Sequence, residues 1–125
     1  MTTLAQEISR KISAIDNCIA SNNTEWNLKH RQSLQALCLE RLPSGSGFDS
    51  GTRINTDLST PEKLVFNTSY HHMNDSGYYD GWTDHTVTVK ASLAFGIDIA
   101  IYGQNRNDIK NYMHDLFRDA LTTEV

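Results

Sequence analysis

Apolar residues recur at helical spacing in two segments at the start of the chain. The first segment has leucine or isoleucine at positions 4, 8, 12, 15 and 19, and Thr3 with Gln6 has the form of a capping box. The second begins near Thr24, whose hydroxyl can cap a helix, and ends before Pro43. Its predicted face comprises Trp26, His30, Leu34, Leu37, Cys38 and Leu42. The two patterns predict a helical hairpin whose polar turn lies at residues 21–23.

After the second helix the spacing of apolar residues changes from helical to alternating. Weak alternation at residues 53–58 predicts a short strand, and stronger alternation at 64–71, 85–92 and 96–103 predicts three more. Residues 74–77 (NDSG) have the composition of a turn, which separates two of these strands. The pattern therefore predicts a meander of antiparallel strands.

The order of the elements predicts a single α+β domain over residues 1–125. A last amphipathic helix starts near Asn107 or Asp108, so the predicted fold is an N-terminal helical hairpin, an antiparallel sheet of about four strands and a C-terminal helix packed on the sheet. The glycine- and serine-rich residues 43–53 predict a loop, which is either a plain reversal or part of a binding site.

Composition narrows the class of protein. The formal net charge of −4 and the pI near 5.6 argue against a general nucleic-acid binder, which needs basic residues to neutralise phosphates. No segment is long and apolar enough for a membrane span, and the first residues do not predict a secretory leader. Cys18 and Cys38 lie in separate helical patterns rather than in a CxxC motif, and two cysteines without a leader fit reduced thiols better than a disulfide. A cytoplasmic protein is predicted.

The segment HHMNDSGYYDGWTDH, residues 71–85, concentrates titratable and aromatic side chains and suggests a metal site. His71, His72 and His85 carry suitable donor atoms, but neighbours in a strand point to opposite faces of a sheet, so only one of the first two can join His85. No HExxH or GxSxG motif supports metal-dependent or nucleophilic catalysis. The sequence therefore predicts neither a metal nor a catalytic residue.

A binding site for a nucleotide-like anion fits the residues better. Arg106 directly precedes the last helix, whose N-terminus attracts phosphate, and Arg53 follows the glycine-rich loop. Tyr78, Tyr79 and Trp82 offer flat faces for stacking.

A plainer interpretation of the same residues stays open. In it Asn105 or Asn107 caps the last helix, Arg106 is solvated, and the aromatic side chains pack over a sheet edge. The apolar stripe of the first helix is complete, and an oligomer interface that uses part of the helical hairpin is a further interpretation.

Three stretches carry a resemblance to a known family: LPSGSGFDSGT, STPEKLVFNTSYHHMNDSGYYDGWTDHTVTV and NRNDIKNYMHDLF. Together they span most of the chain after the helical hairpin, and the whole-chain layout is similar to that of the phage anti-Thoeris sponges, which capture cyclic ADP-ribose isomers. The resemblance implies a phage protein that binds this signal without cleaving it, in the cytoplasm of an infected or lysogenic bacterium. The resemblance further implies that the bacterial TIR-domain NADase defence, which this signal activates, then stays inactive.

The resemblance also implies a site and an assembly. Arginines hold the phosphates and ribose and an aromatic side chain contacts the base, in a pocket at a subunit interface of a homodimer or higher homo-oligomer. With the residues weighed above, the predicted ligand-binding set is Arg53, Tyr78, Tyr79, Trp82, Asn105 and Arg106. No cofactor, nucleic-acid polymer or membrane is expected as a partner. Two alternatives remain: a metal-assisted phosphodiesterase, and a protein-binding phage inhibitor that acts through the helical hairpin.

Overall fold

The structure is a computed structural model that describes residues 2–44, 48–73, 76–77, 79–92, 96–103 and 107–125. Within these ranges the side chains at positions 49–50, 72–73, 79–80, 82–83, 91–92, 96 and 107–108 are not described. The elements are α1 (Leu4–Ala20), α2 (Thr24–Arg41), β1 (Phe48–Ile54), β2 (Lys63–Met73), β3 (Tyr79–Ser92), β4 (Gly96–Tyr102) and α3 (Asn107–Thr122). This order confirms the predicted α+β fold. No described helix combines the length and apolar character needed to cross a bilayer.

Polar side chains cap the start of each N-terminal helix. The predicted capping box of α1 is confirmed: the Gln6 amide donates to Thr3 Oγ1 at 3.3 Å, and the Thr3 amide donates to Gln6 Oε1 at 3.0 Å. The cap of α2 was predicted one residue too late. Asn23, not Thr24, accepts the Trp26 amide at 3.2 Å. An asparagine carbonyl is as good an acceptor as a hydroxyl, and Asn22 with φ 55° directs the chain into this cap.

The predicted apolar face of α2 is correct only for its second half. Leu34, Cys38 and Leu42 are buried, but the Trp26 side chain is 51% exposed. Exposure extends around the helix over most of its first two turns, so this end of α2 lies outside the core. Trp26 instead contacts His30, at 6.0 Å between ring centroids, and Lys29 Nζ, at 4.8 Å from its ring.

The four strands form one antiparallel sheet in the order β1-β2-β3-β4. The first strand was predicted at residues 53–58, whereas β1 occupies most of the segment predicted as a glycine-rich loop. Gly51, at φ 76°, accommodates a bulge in β1, and its carbonyl accepts the Thr68 hydroxyl at 3.3 Å. Residues 55–58 turn because Asn55 Oδ1 accepts the backbone amides of Asp57 and Leu58.

The sheet has two chemically different faces. One packs against the three helices, and its side chains join a single core that includes Phe66, Val87 and Ile99. Phe66 meets Phe117 of α3 at 6.1 Å between ring centroids. The opposite face, called here the open face, consists in the described residues of Arg53, Lys63, Val65, Asn67, Ser69, His71, Asp84, Thr86, Thr88, Lys90, Asp98, Ala100 and Tyr102. Most of these side chains are polar and at least partly exposed.

The two ends of the described chain lie side by side. The Leu4 amide donates to the Thr123 carbonyl at 2.9 Å, and the Val125 amide donates to the Thr2 carbonyl at 3.0 Å. Thr3 and Glu124 pair between these two bonds as an antiparallel bridge. The residues after α3 therefore hold the first turn of α1, and this arrangement is called here the terminal clasp.

Candidate functional site

A groove of about 510 Å³ lies on the open face around Arg53. We call it the Arg53 groove; its walls are Arg53, Asn67, Ser69, Asp84 and Thr86, with Gly51, Thr68 and His85 beneath them. Its volume lies within the usual range for small-molecule sites. The groove is polar because it lies on the face that takes no part in the core.

Strand register brings the wall residues of the Arg53 groove together. Arg53 of β1 lies opposite Asn67 of β2, which lies opposite Thr86 of β3, so the three form one row across the sheet. The Thr86 hydroxyl donates to Asn67 Oδ1 at 3.5 Å. In the next row, the Ser69 hydroxyl donates to an Asp84 carboxylate oxygen. The groove thus presents a guanidinium, an amide, hydroxyls and a carboxylate within two rows.

The Arg53 guanidinium is available to a ligand. Its side chain is exposed, and it forms no ion pair or hydrogen bond within the part of the chain that the structure describes. Arg31 provides the contrast, because its guanidinium is committed to Asn27 at 2.7 Å and to Asp57 at 3.3 Å. An arginine without a protein partner in a polar groove is suited to an incoming anion.

The histidines considered as metal ligands are separated by the sheet. His71 pairs with Trp82 in the ladder and lies on the open face, whereas His85 pairs with Thr68 and is buried on the core face. The side chain of His72 lies outside the described residues. Within residues that the structure does describe, no three His, Cys, Asp or Glu side chains come close enough to hold a metal ion.

The buried His85 imidazole is enclosed by Gly103, which follows β4. A Cβ atom at position 103 would contact His85 Nδ1, lie 2.9 Å from His85 Cε1 and lie 3.0 Å from the Asp84 carbonyl oxygen. Only glycine fits this approach without displacing the imidazole or the backbone. Position 103 therefore fixes how closely the end of β4 approaches β3.

The buried Cys38 does not resemble an activated nucleophile. Both are free thiols, Cys38 buried in the core and Cys18 half-buried on α1. Burial raises the pKa of the Cys38 thiol to about 12, so the reactive thiolate is scarce at neutral pH. Cys38 acts as a small core side chain.

The structure places only part of the predicted ligand-binding set. Arg53 lines the groove. The backbones of Tyr79 and Trp82 belong to β3, but their side chains lie outside the described residues.

The remaining predicted ligand-binding residues are Tyr78, Asn105 and Arg106. All three lie outside the described residues. That their side chains lie close to Arg53 stays a prediction.

A second groove on the open face was missed at the sequence level. This Tyr102 groove, of about 530 Å³, is lined by Leu58, Lys63, Val65, Thr86, Thr88, Lys90 and Tyr102. Alternation in residues 96–103 placed the isoleucines on the core face, and the same alternation puts Tyr102 on the other side. Thr86 lines both grooves, so they adjoin on one surface.

Comparison with known proteins gave no match to any family model, curated protein or solved structure. The resemblance to the anti-Thoeris sponges therefore stays a prediction from the sequence.

Proposed function

We propose that this protein binds a small phosphate-bearing nucleotide of the cyclic ADP-ribose class and holds it without cleaving it. The observation that carries the proposal is the exposed Arg53 guanidinium, which has no partner among the described residues and lies in a groove on the open face. A guanidinium can donate two parallel hydrogen bonds to one phosphate, which combines affinity with a defined orientation.

The other walls of the Arg53 groove suit the sugar of such a ligand. Asp84 is an acceptor for ribose hydroxyls, and the Asn67 amide can both donate and accept. The carboxylate also limits how much negative charge the groove takes, which favours a ligand that presents phosphate on one side and hydroxyls on the other. Cyclic ADP-ribose isomers have this chemistry.

The biological role proposed follows from the resemblance to anti-Thoeris sponges. The protein would act in the cytoplasm of an infected or lysogenic bacterium and remove the nucleotide that activates a TIR-domain NADase defence. Sequestration requires high affinity and slow release rather than turnover. Arg106, Asn105, Tyr78, Tyr79 and Trp82 would complete the site, in a homodimer or a higher homo-oligomer.

The direct test is incubation of the purified protein with individual cyclic ADP-ribose isomers. A ligand that binds the native state alone raises the melting temperature, and heating should then release it chemically intact, as mass spectrometry would show. Absence of a shift with every isomer would contradict the proposal. Release of a hydrolysed product would favour the phosphodiesterase alternative.

The site is tested with Arg53→Gln, which keeps the length of the side chain but removes its charge. Loss of one charge-assisted contact should weaken binding about tenfold or more. Arg118→Gln is the matched control, because Arg118 is an exposed arginine of α3 that pairs with Asp115 at 3.4 Å and lies off the open face. Equal affinities for the two variants would show that the nucleotide does not bind in the Arg53 groove.

A further inference from the structure

Two lysines face each other directly across the open face. Lys63 of β2 and Lys90 of β3 are ladder partners, and both side chains are exposed. Neither ammonium forms an ion pair within the described ranges of the chain. Like charges at directly opposed positions of an antiparallel pair are destabilising, since their Cβ atoms lie only about 5 Å apart. The native sheet therefore carries an electrostatic cost at this position.

One carboxylate adjoins the two lysines without neutralising them. Asp98 of β4 is the ladder partner of Lys90, and no ion pair joins the two side chains. The row thus presents two ammonium groups against one carboxylate. A bound anion would relieve the remaining repulsion.

Beside the two lysines, the Tyr102 groove has apolar, aromatic and hydroxyl-bearing side chains. Val65 is only 4% exposed although it lies on the open face, while Leu58 and Tyr102 are 62% and 61% exposed. Exposed apolar area of this kind, next to a hollow of about 530 Å³, suits a planar ring. Thr88 supplies a hydroxyl between the ring-binding and the anion-binding ends, and Thr86 supplies one beside Tyr102.

From this combination we propose a second binding site, in the Tyr102 groove, for an aromatic phosphate monoester such as a nucleoside 5′-monophosphate. The phosphate lies between Lys63 and Lys90, and the ring lies against Tyr102 with Val65 as the floor. A phosphate monoester carries up to two negative charges at neutral pH. It therefore matches the two lysines better than a ligand with a single carboxylate would. The inference goes beyond the proposed capture of a cyclic nucleotide and does not require Arg53.

The test uses adenosine 5′-monophosphate, inorganic phosphate and adenosine as three separate probes, titrated by calorimetry or NMR at low salt. The monophosphate should bind most tightly because it engages both ends of the groove. Its affinity should fall below about pH 6, where the phosphate dianion takes up one proton and becomes a monoanion. Equal affinity for adenosine and the monophosphate would overturn the inference, since the lysines would then contribute nothing.

Four variants locate the bound monophosphate. Lys63→Gln and Lys90→Gln should each weaken it about tenfold. Tyr102→Ala should lower its affinity to that of inorganic phosphate, and Asp98→Asn should raise its affinity because a repelling carboxylate is removed. Circular dichroism and melting curves establish that each variant is folded.

Arg53→Gln separates this inference from the proposed function. It should leave binding of the monophosphate unchanged while weakening that of the cyclic nucleotide. If Arg53→Gln abolishes monophosphate binding and the lysine variants do not, the ligand lies in the Arg53 groove and the second site is refuted. Weaker binding of the cyclic nucleotide alone, with the lysine effects intact, is the expected result and supports two separate sites.

Discussion

At the scale of single residues, the open face depends on close backbone approaches that few side chains allow. Gly103 is the clearest case, because its missing side chain leaves room for the buried His85 imidazole and the Asp84 carbonyl. The same contact holds β3 and β4 together at the end where Thr86 and Tyr102 pair. A residue with no functional group thus positions residues of both grooves.

Gly103→Ala should therefore destabilise the fold by about 3 kcal/mol, from overpacking and backbone strain together. Its φ of 157° adds to the clash with His85. Gly77→Ala is the matched control, because Gly77 has φ 82° but nothing lies within 4 Å of the new Cβ. Only the strain of an alanine at positive φ then applies, and it should cost about 1 kcal/mol. Urea unfolding measures the stability of both variants. Equal losses of unfolding free energy would show that position 103 is not sterically restricted.

At the scale of elements, strand pairing decides which charges meet. The row of Lys63, Lys90 and Asp98 exists only because β2, β3 and β4 align in one particular register. A shift by one residue would move these charges to the core face, so the register is fixed by the apolar face and the charges follow. The repulsion between the lysines is tolerated because the core outweighs it.

Lys63→Gln should raise the free energy of unfolding by about 0.5 kcal/mol at low salt, because it removes the cross-strand repulsion. The gain should disappear at high salt, where exposed charges are screened. Lys90→Gln should gain less stability than Lys63→Gln, since it also loses the attraction between Lys90 and Asp98 on the next strand. A loss of stability in Lys63→Gln, or a gain unaffected by salt, would contradict this account.

The elements themselves were largely predictable from sequence, because apolar periodicity reports the core face. The isoleucine and valine alternation located β4 and the second half of β3, which was predicted at residues 85–92 and begins at Tyr79, and the Thr3–Gln6 pair located the start of α1. The first strand was misplaced because its bulge at Gly51 interrupts the alternation and reads as a loop. Trp26 was misassigned because periodicity cannot show where a helix extends past the core.

The site was less predictable than the fold, for a physical reason. Arg53 was singled out from its position after a glycine-rich segment, and it does line a groove. Its neighbours Asn67 and Thr86 come from distant parts of the chain, and only the register brings them alongside. Polar positions on an exposed face carry no periodic signal that separates a binding surface from ordinary solvent contact.

At the scale of the whole molecule, charge is unevenly distributed. The net charge is −4, yet the open face carries three cations without an ion pair to any described residue, Arg53, Lys63 and Lys90, against two carboxylates, Asp84 and Asp98. A local positive surface on an acidic protein attracts small anions while the rest of the molecule repels nucleic-acid polymers. This distribution favours a small-molecule binder over a general phosphate-backbone binder.

The terminal clasp also acts at this scale, and it can be removed. Deletion of residues 123–125 should lower the free energy of unfolding by about 2 kcal/mol, because both backbone hydrogen bonds to the start of α1 are lost. Deletion of Val125 alone removes only the bond to Thr2 and should cost about half as much. Hydrogen exchange at the Leu4 amide should accelerate in the longer deletion only, and unchanged exchange there would show that the clasp does not hold α1.

The terminal clasp also affects the order in which contacts can form while the chain is synthesised. A ribosome makes the first turn of α1 before anything else in the domain, yet the carbonyl that accepts the Leu4 amide belongs to Thr123, near the end of the chain. Of the two helices that α1 contacts, α2 is made next and α3 is made last. The backbone hydrogen bond at the start of the first helix to be made therefore forms only after α3 and Thr123 have been made.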